Sequence, residues 1–420
     1  MRENKILQIL IVFAFASLLL PTFLALPKVP AAIVFFSLAI AVATVVDYRY
    51  LFQPLNLIVI AILLLHIFYV MFNWYNESDN KTLLRFVIPI LTVNFLNRFY
   101  SQPTNNKRFQ WIIKFICYAF LCTSISTIVS LNIFPDAARA LAGSLSKEGN
   151  FELITFYLLI GIGGYTITIG WALLISLYIY LAFFMKKKLI PKFVLFISLP
   201  LFFFAIYKVS IATSVIIMLI ALLYFLFFRN VKSLRQYLLR LSSFIIIILL
   251  ITSTLSSILY FTADILNSEN ISPRLNNIAM RFDGTISNTN YQNLSDEDLE
   301  EEDKFLGGYA IRANRSLKSF SNNPLVGGGE VGGHHFYLDA LGSWGLIGSL
   351  LIFLYMLSLY YKWHNIMDKS NFILYTHLFV TFVFLGFVKT YILLDFFILI
   401  YFIVPSMLLL GQQKKLLNKL

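Results

Sequence analysis

The sequence predicts an all-α integral membrane protein with about twelve transmembrane helices and one large external loop. Three observations lead to this class: an apolar composition, apolar runs close to the length that spans a bilayer, and basic residues gathered between those runs. Hydrophobic residues make up 59% of the chain and charged residues 13%. A soluble domain, by contrast, is about half apolar and about one quarter charged.

The apolar runs define the predicted spans. A helix needs about 20 apolar residues to cross roughly 30 Å of hydrocarbon. Twelve runs approach that length: 6–26, 31–47, 55–72, 83–97, 111–134, 156–185, 193–207, 211–228, 241–262, 338–361, 371–388 and 391–410. The run 83–97 is the weakest, because it is short and contains Arg85 and Pro89. No small-residue cleavage site follows the first run, which predicts an uncleaved first helix.

Basic residues indicate the orientation of these helices. Lys and Arg of short connecting segments concentrate on the cytoplasmic side of a membrane. With the N-terminus inside, 20 basic residues fall in cytoplasmic segments and 7 in short outer segments. Both termini are therefore predicted to be cytoplasmic. The same distribution accounts for the net charge of +12, so the charge reflects topology and predicts no nucleic-acid partner.

The chain is predicted to have three regions. Residues 1–262 contain nine spans, residues 263–337 form the external loop, and residues 338–420 contain the last three spans and a cytoplasmic tail. The acidic run "NLSDEDLEEEDKF" in the loop is typical of a solvated surface rather than of paired catalytic carboxylates. Further along, Arg312, Arg315 and Lys318 follow helical spacing, and Pro324 is predicted to end that helix.

The pair His334–His335 lies where the loop meets the tenth span. Histidine can take or give a proton near neutral pH, which makes the pair a candidate for acid–base catalysis. The alternative is a histidine pair that only caps the helix. No Glu or Cys stands at zinc spacing, and "GGHHF" differs from HExxH, so no metal is predicted.

Four cations on the predicted outer side are candidates for binding phosphate: Arg281, Arg312, Arg315 and Lys208. Arginine offers a planar fork of donors and lysine a compact charge. The alternatives are surface charges that pair with the acidic run and, for Lys208, a side chain that reaches to the membrane interface. The glycines at 327–329 and 332–333 are not followed by GK[ST], and an outer location argues against the use of ATP, so no nucleotide cofactor is predicted.

The segment "NNPLVGGGEVGGHHFYLDALGSWGLIGSLLIFLYML" resembles the signature of the O-antigen ligase and Wzy-type O-antigen or capsular polysaccharide polymerase superfamily. The residues that match the signature are Pro324, Leu325, Gly327, Gly329, His334, Tyr337, Leu338, Gly345 and Gly348. His335 stands where the family often has Asn. Lys208, in Tyr207-Lys208-Val209, stands nearest to the arginine of a family Ser-Arg-Gly segment.

This resemblance implies a GT-C-like membrane glycosyltransferase of the bacterial cytoplasmic (inner) membrane. The implied reaction joins undecaprenyl-pyrophosphate-linked oligosaccharide repeat units, as donor and acceptor, on the outer face of that membrane. No cofactor is implied. A chain-length regulator and a flippase are the implied protein partners, beside the lipid bilayer itself.

The resemblance also implies roles for the candidate residues. His334 would be the general base on the acceptor hydroxyl, assisted by His335, and Arg281, Arg312 or Arg315 would hold the pyrophosphate together with Lys208. The backbone from Gly327 through Gly329 to Gly333 would approach sugar or phosphate closely. Glu330 and Asp339 would contact sugar hydroxyls.

Two other functions stay open from the sequence. A ligase of the same superfamily would transfer the finished glycan to lipid A core or to protein. A flippase for the same lipid-linked oligosaccharide would belong to a different class. The large external loop, and the lack of an evident inverted repeat or pair of broken helices in the sequence, count against the flippase.

Overall fold

The structure is a computed structural model. It describes residues 5–24, 31–46, 80–100, 106–135, 137, 151–183, 190–209, 212–228, 260–265, 309–328, 335–388 and 394–410, with isolated positions between 57 and 67 and between 236 and 257. His334, Gly329, Glu330 and Arg281 lie outside these residues, as do most of the predicted spans 55–72 and 241–262. The predicted acidic run lies outside them as well.

Every regular element in the described residues is helical. The helices are α1 (Lys5–Leu19), α2 (Pro21–Leu24), α3 (Ala31–Val46), α4 (Asn80–Tyr100), α5 (Asn106–Ile133), α6 (Phe151–Leu159), α7 (Tyr165–Phe183), α8 (Lys192–Val209), α9 (Ala212–Phe228), α10 (Tyr309–Asn322), α11 (Phe336–Ile366), α12 (Lys369–Val388), α13 (Leu394–Ile398) and α14 (Val404–Leu410). A π-helical turn, Leu399–Ile403, joins α13 to α14. The predicted all-α class is confirmed for this part of the chain.

Four of the described helices are long and apolar enough to cross a membrane. They lie at Lys107–Ile133, Thr166–Phe183, Lys192–Val209 and Phe336–Ile366. Shorter apolar helices lie at Lys5–Leu19, Ala31–Val46 and Phe396–Leu409. Large side chains such as Phe193, Ile197 and Phe204 are exposed on α8, as expected where a helix faces lipid. The protein is therefore a membrane protein with several apolar helices.

One predicted span differs from the structure. The run 156–185 was expected to be a single helix, but α6 ends at Leu159 and α7 begins at Tyr165. Gly161 lies between them with φ 88°, a conformation that ends a helix. A second break lies inside α11, where Gly345 has φ 59° and ψ −162°. Neither break was evident from the sequence.

Hydrogen bonds between distant helices fix the bundle. The Thr123 hydroxyl of α5 donates to the Leu19 carbonyl of α1 at 2.9 Å. Helix α8 packs on α7 and on α5, and α1 packs on α3. The Tyr355 hydroxyl of α11 donates to Asn94 Oδ1 of α4 at 2.8 Å, and that of Tyr337 donates to the Val383 carbonyl of α12 at 2.8 Å. These bonds hold α11, which carries the candidate site, against α4 and α12.

The chain divides into two compact units. One comprises Met1–Leu222 with Arg312–Leu420, and the other comprises Leu223–Ile311. Both helix breaks, Lys208 and the residues of α11 belong to the first unit.

Candidate functional site

A turn of the loop is inserted into the break in α11. In a continuous helix the Leu346 N–H would donate to the Gly342 carbonyl, four residues earlier. Here the Gly342 carbonyl accepts from the Gly328 N–H at 2.9 Å, and the Leu346 N–H donates to the Pro324 carbonyl at 2.9 Å. The Ile347 N–H donates to the Leu325 carbonyl at 3.1 Å. The turn 323–328 therefore completes the hydrogen bonds of both halves of the helix. We call residues 323–328 with 342–347 the turn–helix junction.

Two glycines make this junction possible. A Cβ on Gly345 would lie 2.4 Å from the carbonyl carbon of Leu325, and a Cβ on Gly327 would lie 2.5 Å from the carbonyl carbon of Ser343. Both glycines also have positive φ, at 59° and 80°, which side chains disfavour. Gly327 and Gly345 therefore have a packing role, because two backbone segments touch at these positions. A ligand contact by Gly327 stays a prediction.

Two serines of α10 form hydrogen bonds with the first half of α11. The Ser316 hydroxyl donates to Asp339 Oδ1 at 2.7 Å, and the Ser319 hydroxyl donates to the Gly342 carbonyl at 3.0 Å. Both serines are buried, whereas Arg315 and Lys318 are exposed. The helix ends at Asn322, before Pro324, as predicted. Arg315 and Lys318 therefore face outward, while Ser316 and Ser319 face α11.

His335 is the N-cap residue of α11 and is half-buried. Its carbonyl accepts the Asp339 N–H at 2.7 Å, but its imidazole makes no capping hydrogen bond. Capping therefore uses the backbone of His335 and not its ring. His334 immediately precedes this cap and lies outside the described residues, so its catalytic role stays a prediction.

The structure places some of the predicted site residues on connected elements and one on another helix. Arg315, Gly327 and His335 lie on the connected elements α10, the turn and α11. Arg312 is four residues before Ser316, a spacing that puts both positions on one helix face. Lys208 is instead in the last turn of α8, half-buried, with its ammonium 5.6 Å from the centre of the Phe204 ring.

The pairing of Ser316 with Asp339 was not foreseen from the sequence. Asp339 was expected to contact sugar hydroxyls, but the structure gives this buried carboxylate a serine hydroxyl as partner. The available signal was the spacing of Ser316 and Ser319, which places two small polar residues on one face of α10. Small polar residues are typical of helix–helix contacts in membrane proteins.

The break between α6 and α7 is completed by side chains of α5. The Ser126 hydroxyl donates to the Gly161 carbonyl at 2.7 Å, and the Ser130 hydroxyl donates to the Ile160 carbonyl at 2.9 Å. The Gly163 N–H donates to the Thr127 hydroxyl at 2.7 Å. Helix α6 itself ends in a Schellman motif, since Ile162 N–H bonds to the Tyr157 carbonyl and Gly161 N–H to the Leu158 carbonyl.

The region around the start of α11 combines two chemical functions. The exposed guanidinium of Arg315 can bind phosphate oxygens. The imidazole of His335, one turn before Asp339, is a group that can accept a proton. Transfer of a group from a phosphate-containing leaving group to a hydroxyl needs these two kinds of group. No protein-family model matches the chain, and no curated protein matches it.

Proposed function

We propose that the protein is a membrane glycosyltransferase that polymerises undecaprenyl-pyrophosphate-linked oligosaccharide repeat units. It would have about twelve spans in a GT-C-like arrangement, with both termini cytoplasmic. The reaction would take place on the outer face of the bacterial inner membrane, next to the external loop. The product would be O-antigen or capsular polysaccharide.

The observation that carries this proposal is the attachment of α10 to α11. The Ser316–Asp339 hydrogen bond and the turn–helix junction join α10, the helix that carries Arg312 and Arg315, to the first turns of α11. Pyrophosphate needs cations, and an acceptor hydroxyl needs a proton acceptor. Both must be fixed to about 0.5 Å for efficient catalysis, and residues locked by packing provide this.

The proposed step is a single displacement. The acceptor hydroxyl oxygen forms a bond to the anomeric carbon of the donor, and the bond from that carbon to the pyrophosphate oxygen breaks. The hydroxyl proton passes to His334, and the pyrophosphate leaves with the bonding electron pair. Arg315 and the other candidate cations, Arg281, Arg312 and Lys208, stabilise the charge that develops on the leaving group.

The test is a polysaccharide ladder from cells that carry His334→Ala or His335→Ala. We expect His334→Ala to reduce the ladder to single repeat units and His335→Ala to shorten it. His364→Ala is the matched control, because His364 is exposed at the opposite end of α11 and contacts the Phe372 ring. An unchanged ladder from His334→Ala would exclude this residue as the base. Long polymer that stays on the lipid carrier would indicate a ligase.

Substitutions of Arg315 can distinguish the effect of its positive charge from the effect of its two-pronged guanidinium. Removing one stabilising donor from a catalytic site costs about 100-fold or more in rate, so we expect Arg315→Ala to lower polymer yield at least tenfold. Arg315→Lys should recover only part of this, because lysine lacks the two-pronged fork. Lys318→Ala removes an equally exposed cation from the same helix and should leave the yield unchanged. Equal effects of Arg315→Ala and Lys318→Ala would contradict a specific role for Arg315.

The two broken helices favour a second candidate, a flippase for the same lipid-linked oligosaccharide. Transporters often bind substrates at discontinuous helices, whose unwound backbone groups meet the ligand. At both breaks here, however, backbone groups bond to α5 or to the turn 323–328. The ladder experiment separates the two functions. A flippase variant would leave repeat units on the cytoplasmic face, whereas a polymerase variant would export single units.

A further inference from the structure

An open cavity lies between the N-terminal ends of α1 and α5. These helices run parallel, since their starts line one cavity while the Thr123–Leu19 hydrogen bond joins them further along. The cavity has a volume of about 660 Å³, within the range of known small-molecule sites. The residues that define its chemistry are Lys5, Gln8, Phe13, Lys107, Arg108 and Trp111. None of these residues belongs to the site at α11.

The lining changes character along the helix axes. The cations Lys5, Lys107 and Arg108 stand at the helix starts, and apolar side chains follow one to two turns later. Among these, Phe13 and Trp111 are 45% and 49% exposed. An interfacial phospholipid shows the same sequence of chemistry, from a charged headgroup to acyl chains. Tryptophan is also enriched where headgroups meet hydrocarbon.

Arg108 provides a second, independent observation. Its Nη1 atom is buried and has no hydrogen-bond partner among the described residues. An unsatisfied buried donor is costly, and more so on a charged group. A rotation of the Arg108 side chain toward a phosphate in the cavity would give this nitrogen an acceptor. The first-turn N–H groups of α5, a helix of 28 residues, add partial positive charge at the same place.

We propose that this cavity binds an anionic glycerophospholipid of the surrounding bilayer. Its phosphate would lie between Lys107 and Arg108, with Lys5 opposite, and an acyl chain would lie along Phe13 and Trp111. Basic pockets between membrane helices bind such headgroups by charge, and the described lining includes three cations and no carboxylate. A zwitterionic lipid would bring an ammonium group that this lining repels.

The experiment is native mass spectrometry of the delipidated full-length protein, titrated with phosphatidylglycerol and with phosphatidylcholine of the same acyl chains. We expect phosphatidylglycerol to bind at least tenfold more tightly. The double variant Lys107→Gln/Arg108→Gln should lose about tenfold in phosphatidylglycerol affinity and leave phosphatidylcholine binding unchanged. The control Lys192→Gln/Lys369→Gln removes two exposed charges at the starts of α8 and α12 and should retain wild-type binding.

Three results would overturn the proposal. They are equal affinity for the two lipids, unchanged phosphatidylglycerol binding by the double variant, and full displacement of the lipid by glycerol phosphate, which would indicate a soluble phosphate ligand. The single variant Lys107→Gln is included in case the double variant does not fold, because Lys107 is exposed and its substitution should leave the fold intact. It should still weaken phosphatidylglycerol binding severalfold.

Discussion

The two broken helices of this protein are completed in different ways. At Gly161, between α6 and α7, the partners are hydroxyl groups on the neighbouring helix α5. At Gly345, inside α11, backbone groups of the turn 323–328 bond to both halves of the helix, and the Ser319 hydroxyl is a second donor to the Gly342 carbonyl. A hydroxyl can rotate about its own bond, whereas a carbonyl moves only with the chain.

This difference indicates what each break does. The break at Gly161 can adjust through side-chain rotation and keep its hydrogen bonds. The break at Gly345 fixes one register between the loop and α11, the helix for which His335 is the N-cap residue. A fixed arrangement is valuable where reacting groups must stay aligned. We therefore expect a glycine substitution at the turn–helix junction to have a larger effect than a matched glycine substitution at the first break.

The largest effect is expected from Gly345→Ala. The new methyl group would lie 2.4 Å from the Leu325 carbonyl carbon and oxygen, and φ 59° would be strained for alanine. Strain and overpacking together should cost about 3 kcal/mol or more. The measurement is the unfolding temperature and monodisperse yield of the purified protein. Gly164→Ala is the control, because its Cβ would meet nothing within 4 Å. Equal stability of the two variants would contradict the junction geometry.

A smaller loss is expected from Gly161→Ala. The φ of 88° disfavours alanine, but the methyl group would meet only the Cβ and Oγ atoms of Ser126, at 2.9 Å. We expect a cost of about 2 kcal/mol. Part of it should be recovered in Gly161→Ala/Ser126→Gly, which removes the contacted atoms. A thermal double-mutant cycle measures this coupling. Additive losses would show that the clash is not with Ser126.

The sequence predicted the helical class and the end of α10 before Pro324, because composition and proline restrict local structure directly. It did not predict the break at Gly161. The run 156–185 is apolar throughout, and hydropathy carries no information on the sign of φ; only the glycines at 161, 163 and 164 marked the place. At the second break, the Gly328 N–H bonds to the Gly342 carbonyl and the Leu346 N–H bonds to the Pro324 carbonyl. Both bonds join the loop to a helix that begins several residues later in the chain. No local pattern determines such a pairing.

Only the motif residues of the candidate site could be predicted, because their contacts depend on residues that are distant in the sequence. Motif residues such as Gly327 and Gly345 could be recognised from their spacing. Their packing against backbone could not, because it depends on where α11 breaks. The buried pair Ser316 and Asp339 likewise forms only once α10 folds back onto α11.

A single hydroxyl at the first break should have a moderate effect. Ser130→Ala removes the donor at 2.9 Å from the Ile160 carbonyl and leaves a part-buried acceptor without this partner, at a cost of about 1 kcal/mol. Ser358→Ala is the control, because its exposed hydroxyl only back-bonds to the Leu354 carbonyl of its own helix. Thermal unfolding should separate the two variants. A stability loss in Ser358→Ala as large as in Ser130→Ala would show that the Ser130 hydroxyl has no special role at the break.

The smallest effect is expected from Ser319→Ala, although this serine lies at the more rigid break. The Gly342 carbonyl accepts from Ser319 at 3.0 Å and also from the Gly328 N–H at 2.9 Å. Because the backbone donor stays, the carbonyl remains satisfied, and the loss should be at most about 0.5 kcal/mol. The polysaccharide ladder should keep its wild-type length. A larger loss for Ser319→Ala than for Ser130→Ala would mean that side chains, and not the turn's backbone, hold the break in α11.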